Sequence, residues 1–164
     1  MFLKYFNIKK NNLNNQTSSL YKEIVYHSNN FVKINLNNRD INFNDVFEIF
    51  SIVTIFYLKK LKDKKTEESK KISQIIIDCF IKDLDQHFRE QGIGDMSIGK
   101  YVKKYVKKFY YRLKILDAVF EENKKLDFNY FLKKIGIFAD QDNTKISDDL
   151  KNLYYDISIE NNKK

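Results

Sequence analysis

The chain has 164 residues, with 30 Lys and Arg against 22 Asp and Glu, for a net charge of +8 at neutral pH. At 43% hydrophobic and 15% aromatic residues it is too apolar for a disordered chain. A chain of this length buries about 70% of its unfolded surface, so a core forms without disulfides or metal. The lone Cys79 excludes an internal disulfide framework and a multi-cysteine zinc site, and the absence of proline with only four glycines favours long helices.

Residues 1–16 are polar and rich in asparagine after an apolar start broken by Lys4, which predicts an irregular segment. They have neither the apolar core nor the cleavage site of a signal peptide. The most apolar run, residues 49–58, is about half the length that spans a bilayer. The expected location is therefore the cytoplasm or an equivalent reducing compartment.

Thr17 or Ser18 is suited to cap a first helix carrying Leu20, Tyr21, Ile24 and Val25 at helical spacing. The asparagines of residues 29–44 predict turns and short extended pieces around Phe31, Val32, Ile34 and Leu36. Asn44 is the expected cap of a buried central helix over 45–62, apolar around most of its surface from Val46 to Leu58. The polar run 63–71 reads as a solvated linker or a frayed helix end.

Residues 72–91 form the clearest amphipathic helix, with Ile72, Ile75, Ile76, Cys79, Phe80, Leu84 and Phe88 on one stripe and Gly92 at its end. Ser97 is the expected cap of the next helix, residues 98–123. Its Val102, Val106, Phe109, Leu113, Leu116 and Phe120 form a regular apolar seam. Two shorter helices are expected over 128–135 and 147–157. The fold class is all-α: a single-domain bundle of five to six helices over residues 17–157, with a frayed tail over 158–164.

The net charge is concentrated. Lys100, Lys103, Lys104, Lys107, Lys108, Arg112 and Lys114 lie within fifteen residues that contain no acid. The lysines fall broadly opposite the apolar seam, so one helix should be buried along one side and basic along the other. Like charges at these spacings repel by a few tenths of a kcal/mol per pair. Such a face suits RNA, lipid headgroups or an acidic protein. Tyr101, Tyr105, Tyr110 and Tyr111 interleave with it, either to stack on bases or, more commonly, to edge the core.

No catalytic constellation can be assembled. His27 and His87 stand in different predicted helices, Cys79 sits on an apolar stripe, and Asp83 and Asp85 diverge on a helix. Gly92 and Gly94 do not make a phosphate loop. The expectation is a non-enzyme with no cofactor, no metal and no small-molecule substrate.

The stretch Arg89-Glu90-Gln91-Gly92-Ile93-Gly94-Asp95-Met96-Ser97 reads as a helix–turn–helix corner. Gly92 and Gly94 give backbone freedom, Ser97 caps, and Asp95 lies within reach of Arg89. This corner and the helix after it resemble the ubiquinol–cytochrome c chaperone family. The matching run extends from Asp85 through Arg89-Glu90, Gly92-Ile93-Gly94-Asp95, Ser97-Ile98-Gly99-Lys100 and Val102-Lys103-Lys104 to Phe109-Tyr110 and Arg112. A weaker likeness reaches back to about residue 18. The chain departs from the family pattern at Tyr111, where the family has glycine, and lacks the proline after the first helix.

The resemblance implies an all-helical chaperone for assembly of ubiquinol–cytochrome c reductase. Its implied client is newly made or unassembled cytochrome b, and its location peripheral at the inner membrane, on the cytoplasmic or matrix side. It allows contact with a ribosome or anionic membrane surface, and a second chaperone subunit. The expected partner-binding residues are Arg89, Asp95, Lys100, Lys103, Lys104, Lys107, Lys108, Tyr110 and Arg112, with Gly92, Gly94 and Ser97 shaping the turn. Phe47, Phe50, Phe109 and Tyr110 are candidate walls of an apolar client groove. The alternative, from the basic segment alone, is an RNA- or ribosome-binding helical module.

Overall fold

The computed structural model describes residues 15–36, 40–122, 126, 128–136 and 143–160. Six helices and no strand occur among the described residues: α1 (Asn15–Asn35), α2 (Phe43–Asp63), α3 (Glu67–Glu90), α4 (Asp95–Glu122), α5 (Phe128–Ile135) and α6 (Asn143–Glu160). The protein is an all-α bundle. Residues 1–14 and 161–164, which hold most of the expected irregular start and part of the expected tail, lie outside the described residues.

Helix α2 is the axis of the bundle. It packs against α1, α3, α4 and α6, and every residue from Val46 to Leu58 is buried. Apolar residues around its whole circumference leave it no solvent face, which a central position alone accommodates. Its cap is Asn42, not Asn44: Asn42 Oδ1 accepts from the Asp45 amide at 3.2 Å, and Asp45 Oδ2 accepts from the Asn42 amide at 3.1 Å. Asn44 instead accepts a 2.8 Å hydrogen bond from the Tyr105 hydroxyl on α4.

Helix α1 runs further at both ends than its sequence suggests. Asn15 and Gln16 are already helical, and Thr17 and Ser18, the two candidate caps, lie inside the helix, with Thr17 buried. The asparagine-rich stretch to Asn35 is helix, not turn. Phe31, Val32 and Leu36 continue the stripe of Tyr21, Ile24, Val25 and Ser28 into the core, and that burial outweighs the weak helix propensity of asparagine. Ser28 tolerates burial because its hydroxyl donates to the Ile24 carbonyl at 2.7 Å.

Most of the run 63–71, expected as a linker or a frayed helix end, is ordered helix. Thr66 and Ser69 form a reciprocal capping box that starts α3 at Glu67, where Glu67 and Glu68 also favour the helix dipole. The remaining turn is short, with Lys65 at φ 54.

An aromatic column ties α2, α3 and α4 together. Phe50 stacks on Phe80 with centroids 5.4 Å apart, and Phe80 meets Phe109 at 4.6 Å. Phe47, Phe50 and Phe109 are therefore core, and none of them lines an open client groove as expected. A small open cleft lies elsewhere, between α1 and α2, bordered by Leu20, Glu23, Tyr57 and Lys60.

Candidate functional site: the α3–α4 corner and the basic helix

The corner is built from the end of α3. The Gly92 amide donates to the Arg89 carbonyl at 3.0 Å, and the Ile93 amide to the Phe88 carbonyl at 3.2 Å. This doubly bonded ending requires a left-handed residue, and Gly92 supplies it at φ +76. Ile93 is half-buried against the core, which sets the direction in which the chain leaves. Gly94 has ordinary φ and open space where a Cβ would stand. Its carbonyl accepts from the Ser97 and Ile98 amides at 2.8 and 3.2 Å. Helix α4 thus begins at Asp95, and Ser97 is an exposed residue of its first turn, not its cap.

Arg89 closes the corner. Its Nε donates to Asp85 Oδ2 and its Nη1 to Asp95 Oδ1, both at 2.6 Å. The expected Arg89–Asp95 contact is present. It binds the last turn of α3 to the first turn of α4, and all three side chains remain solvent-accessible. The two carboxylates raise the pKa of the guanidinium.

Beyond the corner, α4 divides into two sides. Ile98, Tyr105, Phe109, Arg112, Ile115, Leu116 and Val119 are buried. Val102, Val106, Leu113 and Phe120 of the expected seam are only half-buried, so the inward face is rotated relative to the seam read from spacing. The outward side carries Met96, Lys100, Lys103, Lys104, Lys107, Tyr110, Tyr111 and Lys114, all exposed. Lys108 lies at the margin, its ammonium 5.1 Å from the centre of the Tyr105 ring.

Arg112 does not belong to the outward side. It is 7% exposed and forms a two-pronged pair with Glu48 of α2, Nε to Oε2 and Nη2 to Oε1, both at 2.8 Å. The guanidinium is turned into the bundle because Glu48, buried in the central helix, requires a charge partner. Position 112 thus joins α4 to α2 and leaves the outward face to lysines. The signal for this was Glu48, the one carboxylate in the apolar run from Val46 to Leu58.

A second polar pair lies under α1. The Tyr21 hydroxyl donates to Asp83 Oδ2 at 2.6 Å across the α1–α3 contact, and both residues are buried. Burial pushes the Asp83 carboxyl up to about 6, against the opposing pull of the Tyr21 hydrogen bond. His87, one turn on, is buried with its ring stacked 3.9 Å from that of Phe43, and desolvation lowers its pKa. No group of three metal-binding side chains occurs among the described residues. His27 packs between Tyr26 and Tyr57, with ring centroids 5.4 and 6.3 Å away. None of the described helices is long and apolar enough to cross a membrane.

No curated protein and no solved structure matches the chain. The sequence pattern of the family described as ubiquinol-cytochrome C chaperone does match, over residues 38–134. That span includes all of α2, α3 and α4 and nearly all of α5, and with them the Arg89–Asp95 corner, the lysine face and the Glu48–Arg112 pair. On that match over more than half of its length, the chain belongs to the ubiquinol-cytochrome C chaperone family.

Proposed function

We propose that the protein is an assembly chaperone that binds newly made or unassembled cytochrome b and supports biogenesis of ubiquinol–cytochrome c reductase, without catalysing a reaction. The observation that carries this reading is the family match across α2, α3 and α4. The client is an integral membrane subunit, so the working position is peripheral, at the face of the inner membrane where that subunit is made. A second chaperone subunit is compatible with the reading, and no cofactor or small-molecule substrate enters it.

Within this reading the outward side of α4, with Lys100, Lys103, Lys104, Lys107, Lys108 and Tyr110, is a partner-binding surface. Arg89 and Asp95 hold that helix at its angle to α3. The test is deletion of the gene together with affinity capture from the native membrane fraction. Loss of assembled reductase and recovery of cytochrome b support the proposal; normal reductase levels after deletion refute it.

An RNA-binding module is the second reading, and the same lysines favour it. The ring contacts weigh against base stacking. Tyr101 packs on Phe88 with centroids 5.6 Å apart, Tyr105 is buried, and the Arg112 guanidinium lies 5.6 Å from the centre of the Tyr111 ring.

A further inference from the structure

The outward side of α4 has a simple geometry. Met96, Lys100, Lys103, Lys107, Tyr110 and Lys114 recur at intervals of four, three, four, three and four, which keeps them along one line of a helix. At the helical rise this line is about 27 Å long. Lys104 and Tyr111 flank it. Among the described residues, none of Lys100, Lys103, Lys104, Lys107 or Lys114 has a carboxylate within ion-pair distance.

We propose that this line of α4 is a docking face for an anionic lipid bilayer, on which the helix lies flat with its lysines at the headgroup phosphates and Met96 and Tyr110 at the interface. The inference deepens the preceding reading by naming what meets the α4 face, and rests on it only for the membrane location.

Three observations favour lipid. First, the charged groups form a straight row on one helix, which matches a plane. Second, the outward charges between residues 96 and 114 are all lysines. The one arginine of the segment, whose planar fork grips individual phosphates, is buried on Glu48. Lysine ammoniums act as point charges on flexible stems and suit a fluid array of phosphates. Third, the row ends in a fully exposed thioether: Met96 is 102% exposed at the corner, ahead of the first lysine. Tyr110 and Tyr111, each about half exposed, place ring and hydroxyl together where an apolar layer meets water.

The test uses the full chain, without cytochrome b, in sedimentation with phosphatidylcholine vesicles with and without phosphatidylglycerol. Binding is expected only to the anionic vesicles and should disappear as salt is raised, since exposed charges are screened over about 10 Å at 0.1 M. Each Lys→Gln change at Lys100, Lys103, Lys107 or Lys114 should weaken binding about fivefold, and the four together at least a hundredfold. Met96→Ser should weaken it a fewfold without changing the salt dependence. All five side chains are exposed, and the far-UV spectrum of each variant verifies that it remains folded.

Absence of binding to phosphatidylglycerol vesicles at low salt overturns the proposal. So does equal binding to neutral vesicles, unchanged binding by the quadruple variant, or binding of an RNA oligomer with none to vesicles. Because no client is present, failure here leaves the cytochrome b reading intact, and failure of the deletion test leaves the lipid face intact.

Discussion

Arg112 of α4 and Glu48 of α2 meet in a two-pronged ion pair inside the bundle, at 2.8 Å on both prongs. The pair fixes the rotation of α4 about its own axis. With the Arg112 side chain directed at α2, Lys100, Lys103, Lys107 and Lys114 are carried to the outside. The Tyr105–Asn44 hydrogen bond, two turns earlier, holds the same rotation.

Removing one member of this pair leaves the other charge buried and uncompensated. Arg112→Met should cost about 3–5 kcal/mol of stability, measured by urea unfolding. Adding Glu48→Met to that variant should recover much of the loss, because two apolar side chains pack without a desolvated charge. Equal instability of the single and double variants would show that the loss comes from packing and not from charge.

Asp83 carries a pH dependence of unusual sign. Its carboxyl is raised from 3.8 to about 6 in the folded protein. Below 3.8 it is protonated in both states and imposes no penalty. Between 3.8 and about 6 the unfolded chain ionises first, so its contribution lowers stability as pH rises; above about 6 the full penalty applies. The shift corresponds to roughly 3 kcal/mol as an order of magnitude. Asp83→Asn, which keeps an acceptor for Tyr21, should therefore be more stable than the parent above pH 6, with the difference vanishing near pH 3.8. Melting curves of both proteins across that range measure it. His87 contributes in the opposite direction. Its lowered pKa makes it lose stability as pH falls below the ordinary histidine range, so the difference between variant and parent is the quantity to read.

The two glycines of the corner should behave differently. Gly92→Ala forces a side chain into φ +76 and should cost about 1 kcal/mol. Gly94→Ala meets open space at ordinary φ and should be near neutral. Thermal unfolding of the two variants checks this; equal losses would mean that the turn depends on both positions.

The parts of the fold that were legible in the sequence are those where one signal dominated. Gly92 ends α3, the apolar circumference of α2 demands a central position, and the acid-free run 100–114 marks a basic side of α4. The asparagines of α1 favour turns by local propensity, and the burial of Phe31, Val32 and Leu36, which only the packed bundle supplies, makes the stretch helical. Asn42 and Asn44 are equivalent as letters, and the Tyr105 hydroxyl decides which one caps. The place of Arg112 was hidden for a related reason. Counting charges along one helix does not reveal a carboxylate on another, and Glu48 stands 64 residues away in sequence. Phe47, Phe50 and Phe109 as groove walls failed likewise, because an apolar side chain looks the same in a core and in a client groove.

The proposed function stands or falls on cytochrome b as the client. The most direct measurement is in vivo photo-crosslinking from probes at exposed positions off the α4 line, Tyr26 of α1 and Tyr130 of α5 among them, followed by identification of the crosslinked partner. The expected result is an adduct with cytochrome b that accumulates when reductase assembly is blocked. A strain in which assembly is blocked, cytochrome b is still made, and no such adduct forms from any of the probe positions would contradict it.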